Sequence, residues 1–490
     1  VSITKVRLTN AFYSDKDSPF YLDRLVLQMR DRWEIMHAVI NGTEYLHEHA
    51  ALYLPREPRE EEDSWKARVN RSVLTPFTKR LISNAAGMVL RRPIHLEGGD
   101  PWWNETFRKN VDGDGTSLDQ FAKKRLEVAL SYGIAYMMVD APASNAQSAA
   151  DELEESEKLR PYFVQIDPWQ VLGWRRESDD PGSRLTMFRY QEEMKTDDGI
   201  YGEEWKMVAR VIRPGSFTVH DNENNAPIKT GAFDLDYVPV IGIYGEREGF
   251  LVGTPPLADV GRLNVTHFQR MADLLHSLHI AAIGLLVLED YDGEEGVVGL
   301  SYAIKMTTGS KAYWVQCDAG SFDAQANALE RLENQMSHLG VTKLLGQKFV
   351  AESADAKRID QQQANSVLAT VSLELENALN EGFRIAGEYM GLEPPKVVID
   401  KDFDFYRLLG QDVSVLGELH RQGQVSTNLF HLIMRHGEWI PPEVDLADEA
   451  TEIQRLQKEK QDAMMEAARV QNATTPSASA ALNTNRAAGA

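Results

Sequence analysis

Apolar residues recur at three- and four-residue steps near the start of the chain. Tyr21, Leu22, Leu25, Val26, Met29, Trp33, Met36 and Ile40 form one stripe, which predicts a helix that Asn41-Gly42 stops. An acidic run, Glu60 to Asp63, precedes a second stripe: Trp65, Val69, Val73, Phe77, Leu81, Ala85 and Met88. Pro76 should split that helix and Arg91-Arg92-Pro93 should end it. Ser117 reads as the N-cap of a third helix that runs through Phe121, Leu126 and Leu130 to Gly133.

The period then changes. Ile134 to Val139 reads as a buried strand, and Ala141 to Glu157 as a small, polar connection. Tyr162 to Arg175, Leu185 to Gln191 and Trp205 to Arg213 read as strands, and Val238 to Tyr244 closes the β-rich block. Helices followed by strands predict an α+β fold, mainly helical, rather than a doubly wound sheet.

From Thr254 the helical period returns. Thr254 suits an N-cap and Pro255 a first helical residue. Leu257, Val260, Asn264, His267, Phe268, Met271, Leu274, Leu275, Leu278 and Ala281 hold one face. A helix over 255–282 would be about 42 Å long. Leu285 to Val315 reads as a short strand-like module that carries the turn Glu289-Asp290-Tyr291-Asp292-Gly293-Glu294-Glu295. A further helix has Ala328, Leu329, Leu332, Met336 and Leu339 on one side, with Gly340 as its expected C-cap. Val341 to Asp355 breaks the pattern and carries Lys343 and Lys348. A very long helix follows from about Ala356 to Tyr389, ended by Gly391 and Pro394-Pro395. Shorter helices are expected over 411–421, 427–435 and 449–467, then a disordered alanine-rich tail.

Composition narrows the function classes. At about 150 residues per domain, 490 residues suggest roughly three domains. The formal net charge of -22 argues against affinity built on neutralising phosphates, though not against letting DNA pass without holding it. One cysteine, Cys317, excludes an internal disulfide framework and a multi-cysteine zinc or iron–sulfur site. The longest apolar run, Ile280 to Leu288, is too short to span a bilayer, and no signal peptide opens the sequence. The expectation is a soluble protein in a reducing, intracellular setting, with no membrane partner and no cofactor.

Few motifs suggest chemistry. Neither G-x-x-x-x-G-K-[ST] nor G-x-G-x-x-G occurs. Asn110-Val111-Asp112-Gly113-Asp114-Gly115 starts like a calcium loop, but its twelfth position is Phe121 rather than glutamate, so a capped turn is expected. Glu193-Met194-Lys195, with Asp179 and Asp180 upstream, echoes the Asp…Glu-x-Lys arrangement of metal-dependent nucleases. Period two would put Glu193 and Lys195 on one strand face, where they could flank a metal-bound water. His276 and His279 share a helix face but have no third ligand nearby in sequence, and His47-Glu48-His49 lacks the metalloprotease spacing.

The order of elements after Thr254 resembles the portal proteins of tailed bacteriophages. The stretches that carry the resemblance are Pro255-Pro256-Leu257-Ala258-Asp259-Val260-Gly261-Arg262-Leu263-Asn264 through His279, and Gly410-Gln411 through Gly423-Gln424-Val425-Ser426. The block Asp167-Pro168-Trp169-Gln170-Val171-Leu172-Gly173-Trp174-Arg175 and Val238-Pro239-Val240-Ile241 fit the same family. These are loose packing patterns that cover roughly Tyr21 to Ala467, not a catalytic signature.

The resemblance implies a portal-like protomer with wing, stem, clip and crown, in a ring around a central channel. Residues 1–253 would be the wing, 254–282 a stem helix, 283–321 the clip and 322–340 the second stem helix. Residues 341–355 would be the tunnel loop, 356–401 a long wing helix, 402–467 the crown and 468–490 the tail. The family forms dodecamers at one capsid vertex in the virion, assembled in the host cytoplasm. Its partners are the major capsid or scaffold protein, the terminase large subunit, a head-tail adaptor protein, and double-stranded DNA that passes without sequence recognition. Lys343 and Lys348 would be possible DNA contacts at the constriction. Glu289, Asp290, Asp292, Glu294 and Glu295 would be lumen charge or a partner-docking surface. The competing readings are a metal-dependent nuclease using Asp180, Glu193 and Lys195, and a non-viral helical oligomeric scaffold.

Overall fold

The computed structural model describes residues 15–141, 160–180, 182–198, 201–221, 226–283, 285–289, 311–315, 319–345, 354–401, 410–436, 439, 451–452, 455–456 and 458–465. The chain divides into two units, Val1–Phe403 and Asp404–Ala490.

In the first unit, α1 (Arg24–Asn41) buries Val26, Met29, Trp33 and Met36 and stops where Gly42 takes a positive φ. Leu25 of the expected stripe faces outward, half exposed. The second stripe is split, as Pro76 requires, into α2 (Glu62–Arg71) and α3 (Phe77–Val89). After β1 (His95–Glu97), α4 (Leu118–Tyr132) has the expected Ser117 cap: its hydroxyl accepts from Gln120 N–H, while the Gln120 side chain accepts from Ser117 N–H. Gly133 ends α4 in the left-handed region, with φ 84°. A side chain there would also collide with the Thr254 backbone, so two constraints select glycine at one position.

The apolar strand β2 (Ile134–Asp140) lies between β3 (Tyr162–Ile166) and β9 (Val240–Tyr244) in an antiparallel sheet. The expected single strand over 162–175 is two. Pro168 opens a 3-10 turn in which Gln170 accepts from Asp167 N–H at 2.7 Å, and the chain changes sheet there. The second half, β4 (Val171–Arg176), starts a five-stranded meander with β5 (Leu185–Asp198), β6 (Gly202–Arg213), β7 (Ser216–Asp221) and β8 (Pro227–Ala232). The last two strands were not foreseen.

Three buried arginines stitch helices and strands together. Arg30 donates to the carbonyls of Trp169 (2.7 Å) and Val171 (3.0 Å). Arg125 donates to Asp167 Oδ1 at 2.9 Å, and Arg189 to the carbonyls of Pro19 and Tyr21. The terminal guanidinium nitrogens offset the cost of burial through these bonds, while the Nε of each arginine is buried without a hydrogen-bond partner.

A short hairpin, β10 (Arg247–Gly249) with β11 (Val252–Gly253), leads to α5 (Ala258–Ile283). The expected start at Pro255 is corrected: Pro256 disfavours the helical region for the residue before it, so 254–257 forms a turn. Thr254 Oγ1 donates to Glu248 Oε2 at 2.9 Å. Strands β12 (Leu285–Glu289) and β13 (Lys311–Val315) pair antiparallel. The next helix, α6 (Ala319–Leu345), runs through Gly340 rather than stopping there. Gly340 faces Leu81 of α3 so closely that any side chain would collide, so it marks a helix crossing and not a cap. Lys343 therefore lies on the last turn of a helix, not in a loop.

The longest helix, α7 (Ala354–Met390), packs on β9 and β2, with Gly382 against Met137 and Phe163. Its Phe383 joins Trp103, Phe107 and Phe163 in an edge-to-face cluster with centroids 5.1–5.7 Å apart. Gly391 ends it at φ 62°, and β14 (Lys396–Val398) pairs with β1. The second unit contains α8 (Gly410–Arg421) and α9 (Thr427–His436), where His420 stacks on Phe430 at 4.7 Å. The fold is α+β, with helix and strand both substantial.

Candidate functional site

The feature with functional content is the pair α5 and α6. His267 faces Glu333, and Leu285, just past α5, pairs with Val315, just before α6, so the two helices run antiparallel. The apolar face of α5 buries Val260, Phe268, Ala272 and Leu274, and α6 answers with Leu329 and Met336. Towards the strands the burial fades: Leu278 is 42% exposed, and most of α6 from Asp323 to Ala328 is exposed.

Polar joints hold α5 to its neighbours at two- to four-residue steps. Asn264 Oδ1 accepts from Thr78 N–H (3.1 Å) and Thr78 Oγ1 (3.0 Å), while its amide donates to the Thr75 carbonyl (3.0 Å). Pro76 has no capping side chain, so Asn264 caps α3 from another helix. His267 is fully buried, with Nε2 3.0 Å from Glu333 Oε1 and no partner at Nδ1. Gln269 donates to the Tyr53 carbonyl at 2.7 Å.

Arg68 of α2, only 5% exposed, grips both oxygens of Glu60 (2.9 and 2.8 Å), and donates to Asp273 (3.1 Å) and the Pro55 carbonyl. That fork holds the Glu60 carboxyl below its ordinary range. His276 Nδ1 lies 3.1 Å from the Arg71 guanidinium, and burial followed by that charge pushes the imidazole down. His276 thus belongs to a joint with α2, apart from its expected histidine neighbour, the exposed His279.

At the far end, Glu289 is exposed at the end of β12, opposite Lys311, and accepts from Tyr313 Oη at 3.0 Å. That bond pushes the Tyr313 phenol up from its ordinary value. Asp290, Asp292, Glu294, Glu295 and Lys348 lie outside the described residues, as does the side chain of Lys343.

The nuclease arrangement is not formed. Asp180 sits in the turn between β4 and β5, where Ser178 Oγ donates to its carboxylate at 3.0 Å and Arg176 to its carbonyl at 2.7 Å. Glu193 lies eight residues up β5 from Leu185, about 26 Å along an extended strand. Lys195 is ion-paired with Glu203. Period two did put Glu193 and Lys195 on one face, but the turn that holds Asp180 is at the other end of the strand. Among the described residues, no group of three or more His, Cys, Asp or Glu side chains could hold a metal ion. In the 110–116 segment, Asn110 Oδ1 accepts from the N–H groups of Gly113 and Gly115, and Asp112 Oδ1 from Asp114 and Thr116. This is the expected capped turn.

One half-buried charge cluster had no sequence signal beyond an aspartate that ends an apolar strand. Arg210 donates to Glu192 Oε1 at 2.9 Å and lies 3.9 Å from Asp140, whose carboxylate also accepts from Tyr162 Oη at 3.3 Å. Burial pushes the Asp140 carboxyl up, against the pull of Arg210. A small cavity beside it is lined by Met138, Phe217 and Tyr389.

Among the described residues, no helix is long and apolar enough to cross a membrane. No curated protein matches the chain. Among solved structures, a chain from the neck of an empty GTA particle computed with C6 symmetry aligns at 12% identity and TM-score 0.41, covering 78% of this chain and 95% of that one. A chain from the virion of a native gene transfer agent (GTA) particle aligns at 11% identity and TM-score 0.38, covering 78% and 94%. One from the neck of a native GTA particle computed with C12 symmetry has 11% identity and TM-score 0.38, covering 74% and 89%. A family described as a domain of unknown function (DUF4055) matches residues 256–390, a stretch that begins at the turn before α5 and ends on the last residue of α7.

Proposed function

We propose that this chain is a portal protein: one protomer of a dodecameric ring at a single capsid vertex, the channel for DNA packaging and ejection. The observation that carries the proposal is the antiparallel pair α5 and α6, rooted in the body by buried polar joints and bridged at its far end by β12 and β13. A helix pair whose apolar burial fades towards its tip finds partners when copies stand side by side. On this reading the chain performs no chemistry of its own. It docks the terminase large subunit during packaging and a head-tail adaptor afterwards.

The charge of -22 then has a purpose. A duplex in transit must slide, and a mostly negative lumen repels phosphates from every side. Lys343 and Lys348 would touch phosphates weakly, and salt would screen them. Negative-stain electron microscopy with mass measurement on the same sample tests the reading. Twelve-fold rings with a hole wide enough for B-form DNA are expected, and closed dimers or rods would sink it.

A further inference from the structure

The hairpin of β5 and β6 outgrows the sheet that carries it. Pairing of β4 with β5 ends at Tyr190, and pairing of β7 with β6 begins at Val208. Residues 191–198 and 202–207 therefore form a two-stranded ribbon with both outer edges unpaired, about 25 Å long at strand rise. Such a ribbon alone in water is marginal. Its described surface is open: Tyr201 is 98% exposed and Trp205 58%. The register puts Trp205 and Met207 on one face with Glu193, Lys195 and Glu203. The ribbon carries six carboxylates against two lysines, a net charge of -4.

The same chain presents a matching surface on α3 and α4. Ser83 Oγ donates to Glu127 at 3.0 Å, and Ile94 N–H to Asp119 at 2.8 Å, so these helices run antiparallel. Their outward faces are Arg80, Ser83, Asn84 and Gly87 on one, and Gln120, Lys123, Lys124 and Glu127 on the other. Lys79, Arg80, Lys123 and Lys124 are exposed, and none is in an ion pair among the described residues. Gly87 faces open space, two turns along α3 from Arg80 and, by the antiparallel register, level with Lys123. This cationic patch stands out on a chain of net charge -22.

We propose that the Trp205 ribbon of one copy docks on the cationic α3–α4 face of a second copy of this chain. Trp205 lies against the open Gly87 position with the Lys123 ammonium over the indole, and the carboxylates on its ribbon face pair with the lysines. Because ribbon and patch are different surfaces, the contact is heterologous and propagates head to tail, which closes into a ring when the rotation permits. The inference rests on the ring reading above and names a contact that holds it.

Charge reversal in the full chain tests it. Glu193→Lys with Glu203→Lys, or Lys123→Glu with Lys124→Glu, should each cut the assembled fraction at least tenfold by mass photometry. All four together should restore it to within about twofold, because the charges are then exchanged. Rings undiminished in either pair, or no recovery in the quadruple variant, overturn the docking and leave the ring reading standing. A wild-type chain that stays monomeric at every concentration and with capsid protein present overturns both. Carbodiimide cross-linking of mixed 14N and 15N wild-type protein decides the matter without any variant. Glu193 or Glu203 should join Lys123 or Lys124 in mixed-isotope pairs, and their absence from assembled protein overturns the docking.

Discussion

The imidazole of His267 lies 3.0 Å from the carboxylate of Glu333, a polar bond that ties α5 to α6 beside the buried apolar residues of their seam. The histidine is wholly buried while Glu333 is half exposed, so the joint has one fixed partner and one that reaches in from solvent. His267→Ala removes a buried ring as well as the bond and should cost about 2–4 kcal/mol in chemical denaturation. Glu333→Gln keeps an acceptor at the same place and should cost under about 1 kcal/mol. Equal losses in the two variants would mean that the carboxylate, not the packing, dominates.

Arg68→Ala should be the more damaging change. It strands Glu60, which is nearly buried and receives both guanidinium bonds, and an unpaired buried charge typically costs about 3–5 kcal/mol. The pair also predicts an acid limb. Because the folded Glu60 carboxyl is held below its ordinary value, its stabilisation is complete above an unfolded pKa of about 4.3 and is lost as pH falls through the lowered folded value. Glu60→Gln should flatten the stability–pH curve in that acid window and leave its shape near neutrality unchanged.

Asn264 caps a helix that is distant in sequence. Asn264→Ala removes the acceptor for Thr78 and leaves the Thr75 carbonyl without its amide donor, with an expected loss of about 1–2 kcal/mol. Hydrogen exchange should locate the effect. Protection should fall at the first turn of α3, around Thr78, and stay unchanged in α4.

Gly340→Ala should destabilise the crossing of α6 over α3, although alanine is the better helix former by about 1 kcal/mol. The added methyl meets Leu81. Leu81→Ala in the same chain makes room for it, so the double variant should be more stable than the sum of the two single losses predicts. Melting temperatures of the four proteins complete the cycle.

Where a feature was local, the sequence was sufficient. Ser117 with Gln120, Gly133, Gly42 and Pro76 set helix ends through their own backbone preferences, and each end lies where those preferences put it. Where a second segment intervened, local reading failed. Pro256 overruled Thr254 and Pro255 as a helix start, and Leu81 gave Gly340 a purpose that no neighbour in sequence reveals. Thr218 to Val219 and Ile228 to Thr230 belong to strands whose mixed polar pattern gave little alternation to read. The buried Arg30, Arg125 and Arg189 look like surface residues until their carbonyl partners, some more than a hundred positions away, are in place. Of the residues expected at a channel or docking surface, Glu289 alone has a described side chain, because the others fall in the 290–310 and 346–353 segments or at the end of α6.

The joints along α5 also make it a lever with an uneven stiffness. From Asn264 to His276, about 18 Å of helix, it is clamped to α2, α3, α6 and the Tyr53 carbonyl at nearly every turn. Past His276 the clamps end among the described residues, while the helix continues to Ile283 and the strand pair. A load applied at β12 and β13 is therefore borne as bending of the last two turns and not as rotation of the root. A cantilever of this kind lets the tip yield to whatever seats on it while the anchored end keeps its register.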